Sequence, residues 1–463
     1  MDKILRLLIL CASILAVRCA ISATPIQIPN FDDWWGPEDA QENQDTSIRP
    51  FKIEFTKCMI KDLRYRLRNH RPFTPPLEGT ASTYGYNTNS LETWVSYWAN
   101  SYNFTAREEH LNQYPHYKTN IQGLDIHFMW IKPEVEEGLE VLPLLMMHGW
   151  TGSIVEFYKA IPVLSEKAKE KGFAIEFVIP SLPGFGFSET THLQGFGATE
   201  MAVVMRNLMH RLGHKKFYLQ GGDWGARIGN NLASYFPDEL YGYHTNFGIS
   251  NSLSTLATWL AGSLSEGIQK LVEDPAALGR LYPIGTVVKK TLLSSGYFHL
   301  QATKPYTVGV AMSDSPVGLL AYIFQLMSMI TRHEYESTRD DDGLVFHYSR
   351  DELLDNLMVY WVNNAFITSG KIYSESLNSR NLNNGYLEIT TPVPTWFIQA
   401  KDEFLYMSPE MLKFAFSNIV NTTAIETGGH YLAFELPELF SDSVITAITE
   451  FRRLAKEKCR TEL

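Results

Sequence analysis

One short stretch constrains the fold more than any other: YLQGGDWGA, Tyr218 to Ala226. An apolar run (Phe217, Tyr218, Leu219) meets a glycine pair and is followed at once by a helix-prone segment, so the chain must pass from strand to helix within a few residues. Such a turn lifts its central side chain, here Asp223, clear of the strand end, and the flanking glycines let the backbone bend and a ligand approach. Asp also caps helices well. The stretch alone therefore leaves two readings, a reactive carboxylate or a helix cap.

From residue 141 short apolar runs alternate with amphipathic segments, the pattern of βαβ units and a mostly parallel sheet. Residues 142–147 and 173–179 read as buried strands, 216–220 as the strand entering the turn, 241–246 as the next, and 395–399 and 423–426 as late ones. Met201, Val204, Met205, Leu208 and Leu212 recur at helical spacing within 198–212, stopped by Gly213. A closing helix is expected over 441–458. The expected organisation is a hydrophobic leader (1–24), an N-terminal region packed on the core (25–140), a first core part (141–250), an inserted helical lid (251–377) and a second core part (378–463). The N-terminal region is rich in Trp, Tyr, Pro and Asn and shows no alternation of strand and helix.

With 45% apolar and 13% aromatic residues the chain can bury a sizeable core. A net charge of −11 with interspersed signs excludes a nucleic-acid surface, which needs a basic stripe, and suits a small apolar or neutral ligand. Of four cysteines, Cys11 and Cys19 lie in the leader; Cys58 and Cys459 alone make no disulfide framework. In the leader, Lys3 and Arg6 precede an apolar run over 7–17 that Arg18 interrupts. That suits a cleaved signal peptide, or a membrane anchor in which Arg18 snorkels.

Three features follow in the chain order nucleophile, acid, histidine: Asp223; Asp402 or Glu403 in QAKDEF, after a late strand; and His430 in GGHYLAFELPEL, a Gly-rich loop before the final helix. An acid there would hold the imidazole tautomer and stabilise its charged form. A fourth feature, LLMMHGWTGS (144–153), ends an early strand and nominates the backbone amides of Trp150 and Trp224 as an oxyanion hole. His148 reads as part of a plain turn.

Together with WWGP (34–37), SIRPFK (47–52), FTPPLE (73–78), YPHYKTNIQGLDIHF (114–128), SLPGFGFSE (181–189) and DSPVGLLAYI (314–323), these motifs span nearly the whole chain after the leader. The chain resembles the microsomal-type epoxide hydrolases, a branch of the α/β-hydrolase fold that includes insect juvenile-hormone epoxide hydrolases. The resemblance implies an α/β-hydrolase fold with a mostly parallel sheet, an inserted helical lid and an extended N-terminal region. It assigns Asp223 as nucleophile, His430 as general base, Glu403 as the orienting acid, and Tyr297 (in SSGYFHLQATKP) and Tyr373 (in KIYSESL) as proton donors to the epoxide oxygen. It implies no metal or organic cofactor. The partners are a small apolar epoxide and water, with membrane contact through a single N-terminal anchor in the endoplasmic reticulum and a body facing the cytosol. The charges flanking the leader favour the opposite orientation.

The chain departs from that pattern at Thr151, where the family has Pro, so the oxyanion loop is expected to be less restricted in φ. The substrate is either a juvenile-hormone-like terpenoid epoxide or a xenobiotic epoxide; Tyr322, Phe324, Met327 and Met329 in the lid suit an apolar substrate or core packing. Two rival readings are a haloalkane dehalogenase, which also uses an Asp nucleophile but needs halide donors in place of paired tyrosines, and an inactive apolar-ligand-binding protein. A serine esterase would need G-x-S-x-G at the turn.

Overall fold

The structure, a computed structural model, describes residues 29–134, 138–262, 280–377 and 389–461; the leader, residues 1–24, lies outside them. Among these residues the strands β1 (Arg49–Phe51), β2 (His116–Ile121), β3 (Leu124–Ile131), β4 (Glu140–Met147), β5 (Phe173–Pro180), β6 (Phe217–Gly221), β7 (Leu240–Thr245), β8 (Thr395–Gln399) and β9 (Ile419–Ala424) form one sheet. Its order is β1-β2-β3-β5-β4-β6-β7-β8-β9. From β5 across to β9 every pairing is parallel, and β5 is buried at every position except Glu176, as a strand covered by helices on both faces must be. β9 starts four residues before the strand expected at 423–426, because this edge strand is half-exposed and follows Ile419 and Val420 with Asn421, Thr422 and Thr423, too short an apolar run to announce it.

The N-terminal region does more than pack on the core. Its three strands extend the sheet in antiparallel fashion. β2 and β3 form a hairpin closed by Gln122 (φ 52°) and Gly123 (φ 89°), the left-handed pair that matches strand twist in a two-residue turn. β3 is buried on both faces along most of its length, which erases the alternation that would mark it in sequence.

Helices from Leu253–Gly262 to Ala365–Ser376 form the lid between β7 and β8. Phe324 and Met327 are core packing within its long helix Pro316–Thr331. Among the described residues no single helix is long and apolar enough to cross a membrane.

The helices of the N-terminal region clamp this lid through buried acids. Tyr102 donates to Asp355 at 2.7 Å, and the Arg107 guanidinium holds the same carboxylate through Nε at 3.0 and 3.1 Å and through Nη2. Tyr86 and Trp94 both donate to Asp342. Because Asp355 has no exposed surface, removing its cation strands a buried charge. Arg107→Ala is expected to lower the unfolding free energy by about 3–5 kcal/mol, read as a lower denaturation midpoint in guanidinium; an unchanged midpoint would show that the clamp contributes nothing.

Candidate active site

The chain passes from β4 to β5 on one side and then to β6 on the other, so the carboxyl ends of β4 and β6 flank a switch point, where α/β sheets bind ligands. The loop after β6 is the turn seen first in sequence. Asp223 has φ 48°, uncommon for a residue with a side chain, and opens helix Asp223–Tyr235. The turn tolerates no bulk: a Cβ on Gly225 would run into the Met147 and His148 carbonyls at the end of β4, and one on Gly149 would overlap the Asp223 side chain.

The Trp150 amide donates to Asp223 Oδ1 at 2.7 Å. Trp224 is the second residue of the helix, so its amide has no intrahelical acceptor and belongs to the positive end of the helix dipole. The loop after β4 is tied on several sides. The Thr151 amide and hydroxyl both meet the Tyr431 hydroxyl, at 3.2 and 2.7 Å, and Asn356 donates to the Thr151 carbonyl at 2.9 Å. Tyr360 donates to the Gly152 carbonyl at 2.7 Å. The freedom expected from losing proline at Thr151 is thus offset by bonds that the hydroxyl and the amide N–H make and proline lacks both. His148 is buried, with Nδ1 3.0 Å from the Gly149 carbonyl and Nε2 accepting from the Leu182 amide at 3.2 Å, which gives it a structural place behind the loop.

His430 lies in the loop before helix Leu432–Glu435, its amide bonded to the Ile330 carbonyl of the lid and its carbonyl to Asn246. Nδ1 faces both Glu403 oxygens, at 2.8 and 2.9 Å, and Nε2 lies 3.4 Å from Asp223 Oδ2. Asp402 turns away toward Arg332, 3.7 Å distant, so the acid against the imidazole is Glu403. Burial alone would lower the His430 pKa; the charge of Glu403, then the hydrogen bond to Asp223, outweigh it and push the imidazole up to about 10.

Tyr297, Tyr373 and Trp150 form an aromatic cluster beside Asp223. Trp150 stacks on Tyr297 with ring centroids 5.8 Å apart and meets Tyr373 edge-on at 5.8 Å, while the two tyrosines lie 6.1 Å apart. Burial, then the Asp223 charge, pushes the Tyr297 phenol up; burial, Tyr297 and Asp223 do the same at Tyr373, so both phenols keep their protons. A cavity of 740 Å³ opens beside them, lined by Tyr297, Phe298, Met329, Glu403, Phe404 and Leu405 among others. Tyr322 meets Trp150 edge-on and does not line that cavity.

Sequence reasoning missed two residues here. Tyr431 ties the loop after β4, and Glu156 is buried with electrostatic reach to both His430 and Asp223. Tyr431 had a signal, being next to His430; Glu156, in an ordinary VEF tripeptide, had none.

A strand-turn-helix carboxylate, a late histidine and a helical lid on this sheet define an α/β-hydrolase-fold enzyme. Residues 143–281 match the family described as alpha/beta hydrolase fold, and residues 48–157 match the one described as epoxide hydrolase N terminus. The chain is 46% identical to a juvenile hormone epoxide hydrolase of Bombyx mori over 99% of its own length and 98% of the relative's, and 40% identical to epoxide hydrolase 1 of Sus scrofa over 89% and 91%. The crystal structure of a juvenile hormone epoxide hydrolase from the silkworm superposes with a TM-score of 0.90 at 47% identity, covering 92% of this chain and 100% of that one. The chain belongs to the epoxide hydrolase family and is an epoxide hydrolase.

Proposed function

We propose that Asp223 attacks an epoxide carbon from behind while Tyr297 and Tyr373 bond the ring oxygen and one of them supplies its proton, leaving a hydroxyalkyl ester of Asp223. A carboxylate suits this step because it displaces an alkoxide from saturated carbon without first losing a proton. His430, oriented by Glu403, then draws a proton from water. The water attacks the ester carbon, and the Trp150 and Trp224 amides hold the oxyanion until a vicinal diol leaves. The observation that carries this reading is one imidazole between two carboxylates, Nε2 toward Asp223 and Nδ1 on Glu403, beside a tyrosine pair. Single turnover in heavy-oxygen water tests it: the first diol should carry unlabelled oxygen from Asp223, and label taken directly from solvent refutes the ester.

The tyrosine pair separates this reading from a haloalkane dehalogenase. Tyr297→Phe and Tyr373→Phe are each expected to lower the rate of ester formation by about 10²-fold, measured by stopped-flow tryptophan fluorescence. Unchanged rates in both would remove the acid role.

The substrate we propose is an apolar terpenoid epoxide of the juvenile-hormone type. The juvenile hormone epoxide hydrolases matched are 41–46% identical to this chain, and the cavity beside Tyr297 carries Phe298, Met329, Phe404 and Leu405. A panel of epoxides compared by kcat/KM decides it, with small aromatic epoxides preferred if the enzyme is a general detoxifier. We also propose that the leader, residues 1–24, anchors the enzyme in the endoplasmic reticulum membrane; carbonate extraction of microsomes should leave it in the pellet.

A further inference from the structure

Glu156 is a buried acid of the site that the reaction above leaves unused. It sits in the short 3₁₀ turn Ile154–Phe157 that follows the oxyanion loop, and it is only 9% exposed. Its carboxyl is hydrogen-bonded by the Gly149 backbone, while Oε1 has no hydrogen-bond partner among the described residues. That oxygen has a defined address. A methyl group added at Gly152 would overlap Oε1 and touch ring carbon Cε1 of Tyr431, whose ring centroid is 5.0 Å from that of His430. The surrounding loop is held by Ser153, which donates to Asn356 at 2.7 Å, and by the Tyr360 and Tyr431 hydroxyls.

The electrostatics agree with that placement. Burial pushes the Glu156 carboxyl up to about 8, His430 opposes this and Asp223 adds to it, so the group answers to both partners of the reaction. A buried polar oxygen without a partner is costly to the fold, and near a reaction centre it invites a functional account.

We propose that Glu156 is a positioning residue for the second half of the reaction, its free Oε1 accepting a hydrogen bond from the attacking water. The inference rests on the assignment of Asp223 and His430 made above. One O–H of the water points to Oε1 and stays intact. The other loses its proton to His430 Nε2 as the oxygen bonds to the Asp223 ester carbon, and the carbonyl electron pair moves onto the oxygen held by the Trp150 and Trp224 amides. On collapse the diol oxygen leaves with the proton from His430, and the proton still on the former water oxygen passes from Asp223 by way of solvent to the tyrosinate left by ring opening, which restores both groups. Glu156 exchanges no proton in this step, because Oε1 only accepts from an O–H bond that stays intact.

Rapid-quench single turnover with a terpenoid epoxide separates ester formation from ester hydrolysis. Glu156→Leu is expected to leave ester formation within about twofold and to slow ester hydrolysis about 10- to 100-fold, the size of effect that a misplaced reactant produces. The ester then accumulates, and kcat and KM fall together with kcat/KM preserved. Glu156→Gln keeps a side-chain carbonyl acceptor and should recover most of the hydrolysis rate. If the leucine variant does not fold, Glu156→Met carries the same expectations. Equal slowing of both steps, unchanged hydrolysis, or a glutamine variant as slow as leucine would each overturn the proposal. A wild-type enzyme that forms no ester would instead overturn the assignment of Asp223.

Discussion

Asp223→Asn is expected to abolish turnover, by at least about 10⁴-fold in kcat, while epoxide binding persists. The carboxamide is isosteric, so the elbow should keep its backbone, including the positive φ that Asn tolerates as well as Asp does. What disappears is the charged oxygen that the proposed attack requires. The Trp150 amide would still meet an oxygen at the Oδ1 position, but an uncharged one, and His430 Nε2 would lose its anionic neighbour at 3.4 Å. Binding should survive because the cavity wall is built from other residues, Phe298, Met329, Phe404 and Leu405 among them. Initial-rate assays together with an intact-mass check for slow conversion of Asn back to Asp decide the matter. Steady activity near that of the wild type, without such conversion, would remove Asp223 from the mechanism.

His430→Gln should divide the reaction in two. In the proposed mechanism ester formation uses Asp223 and the tyrosines and should proceed, whereas ester hydrolysis would lose its base and slow by about 10²- to 10⁴-fold. The protein should therefore gain the mass of one whole epoxide, since ring opening expels no atoms, and show a burst of one equivalent followed by almost no turnover. Failed turnover without an adduct would contradict the role of His430.

The same pair predicts a pH effect of definite sign. In the resting enzyme Glu403 and Asp223 together hold the imidazole up, at about 10. Because this folded value lies above the ordinary one, its contribution to stability is complete below about pH 6.5 and is lost as pH rises through about 10. In the proposed mechanism esterification would remove the Asp223 charge, so the imidazole pKa would fall as the first half-reaction ends and His430 would then be free to act as the base. NMR of the imidazole should give a midpoint near 10 in the wild type and a lower one in Asp223→Asn. Ester hydrolysis, followed by rapid quench, should slow as pH falls through that lower value.

Much of this could be read in the chain. The central parallel strands β4, β5, β6 and β8 appear as apolar runs, and β4, β6 and β8 carry the loops that hold Trp150, Asp223 and Glu403. The antiparallel extension was not legible, because β3 is buried on both faces and its hairpin turns on Gln122-Gly123, a pair with only one glycine to announce it. Nor could adjacent acids be separated by the residues alone. Asp402 and Glu403 are consecutive, and which faces His430 depends on the path of the loop after β8 and on Arg332, which lies 70 residues upstream of Asp402 and draws it away. Phe324 and Met329 look alike in a helix pattern and both are buried, yet of the two Met329 also lines the cavity.

By itself the sequence determined the elbow. Gly225 is required where the turn meets the end of β4, an aspartate stands between the glycines, and both follow from steric rules that act over a few residues. Tertiary structure alone decided what surrounds that aspartate: an imidazole 207 residues later in the chain, two tyrosines from separate lid helices, and a buried glutamate with one oxygen unpartnered among the described residues. The physical reason is range. Backbone stereochemistry is local and is written in adjacent residues, whereas burial and charge pairing depend on which distant segments the sheet and lid bring together.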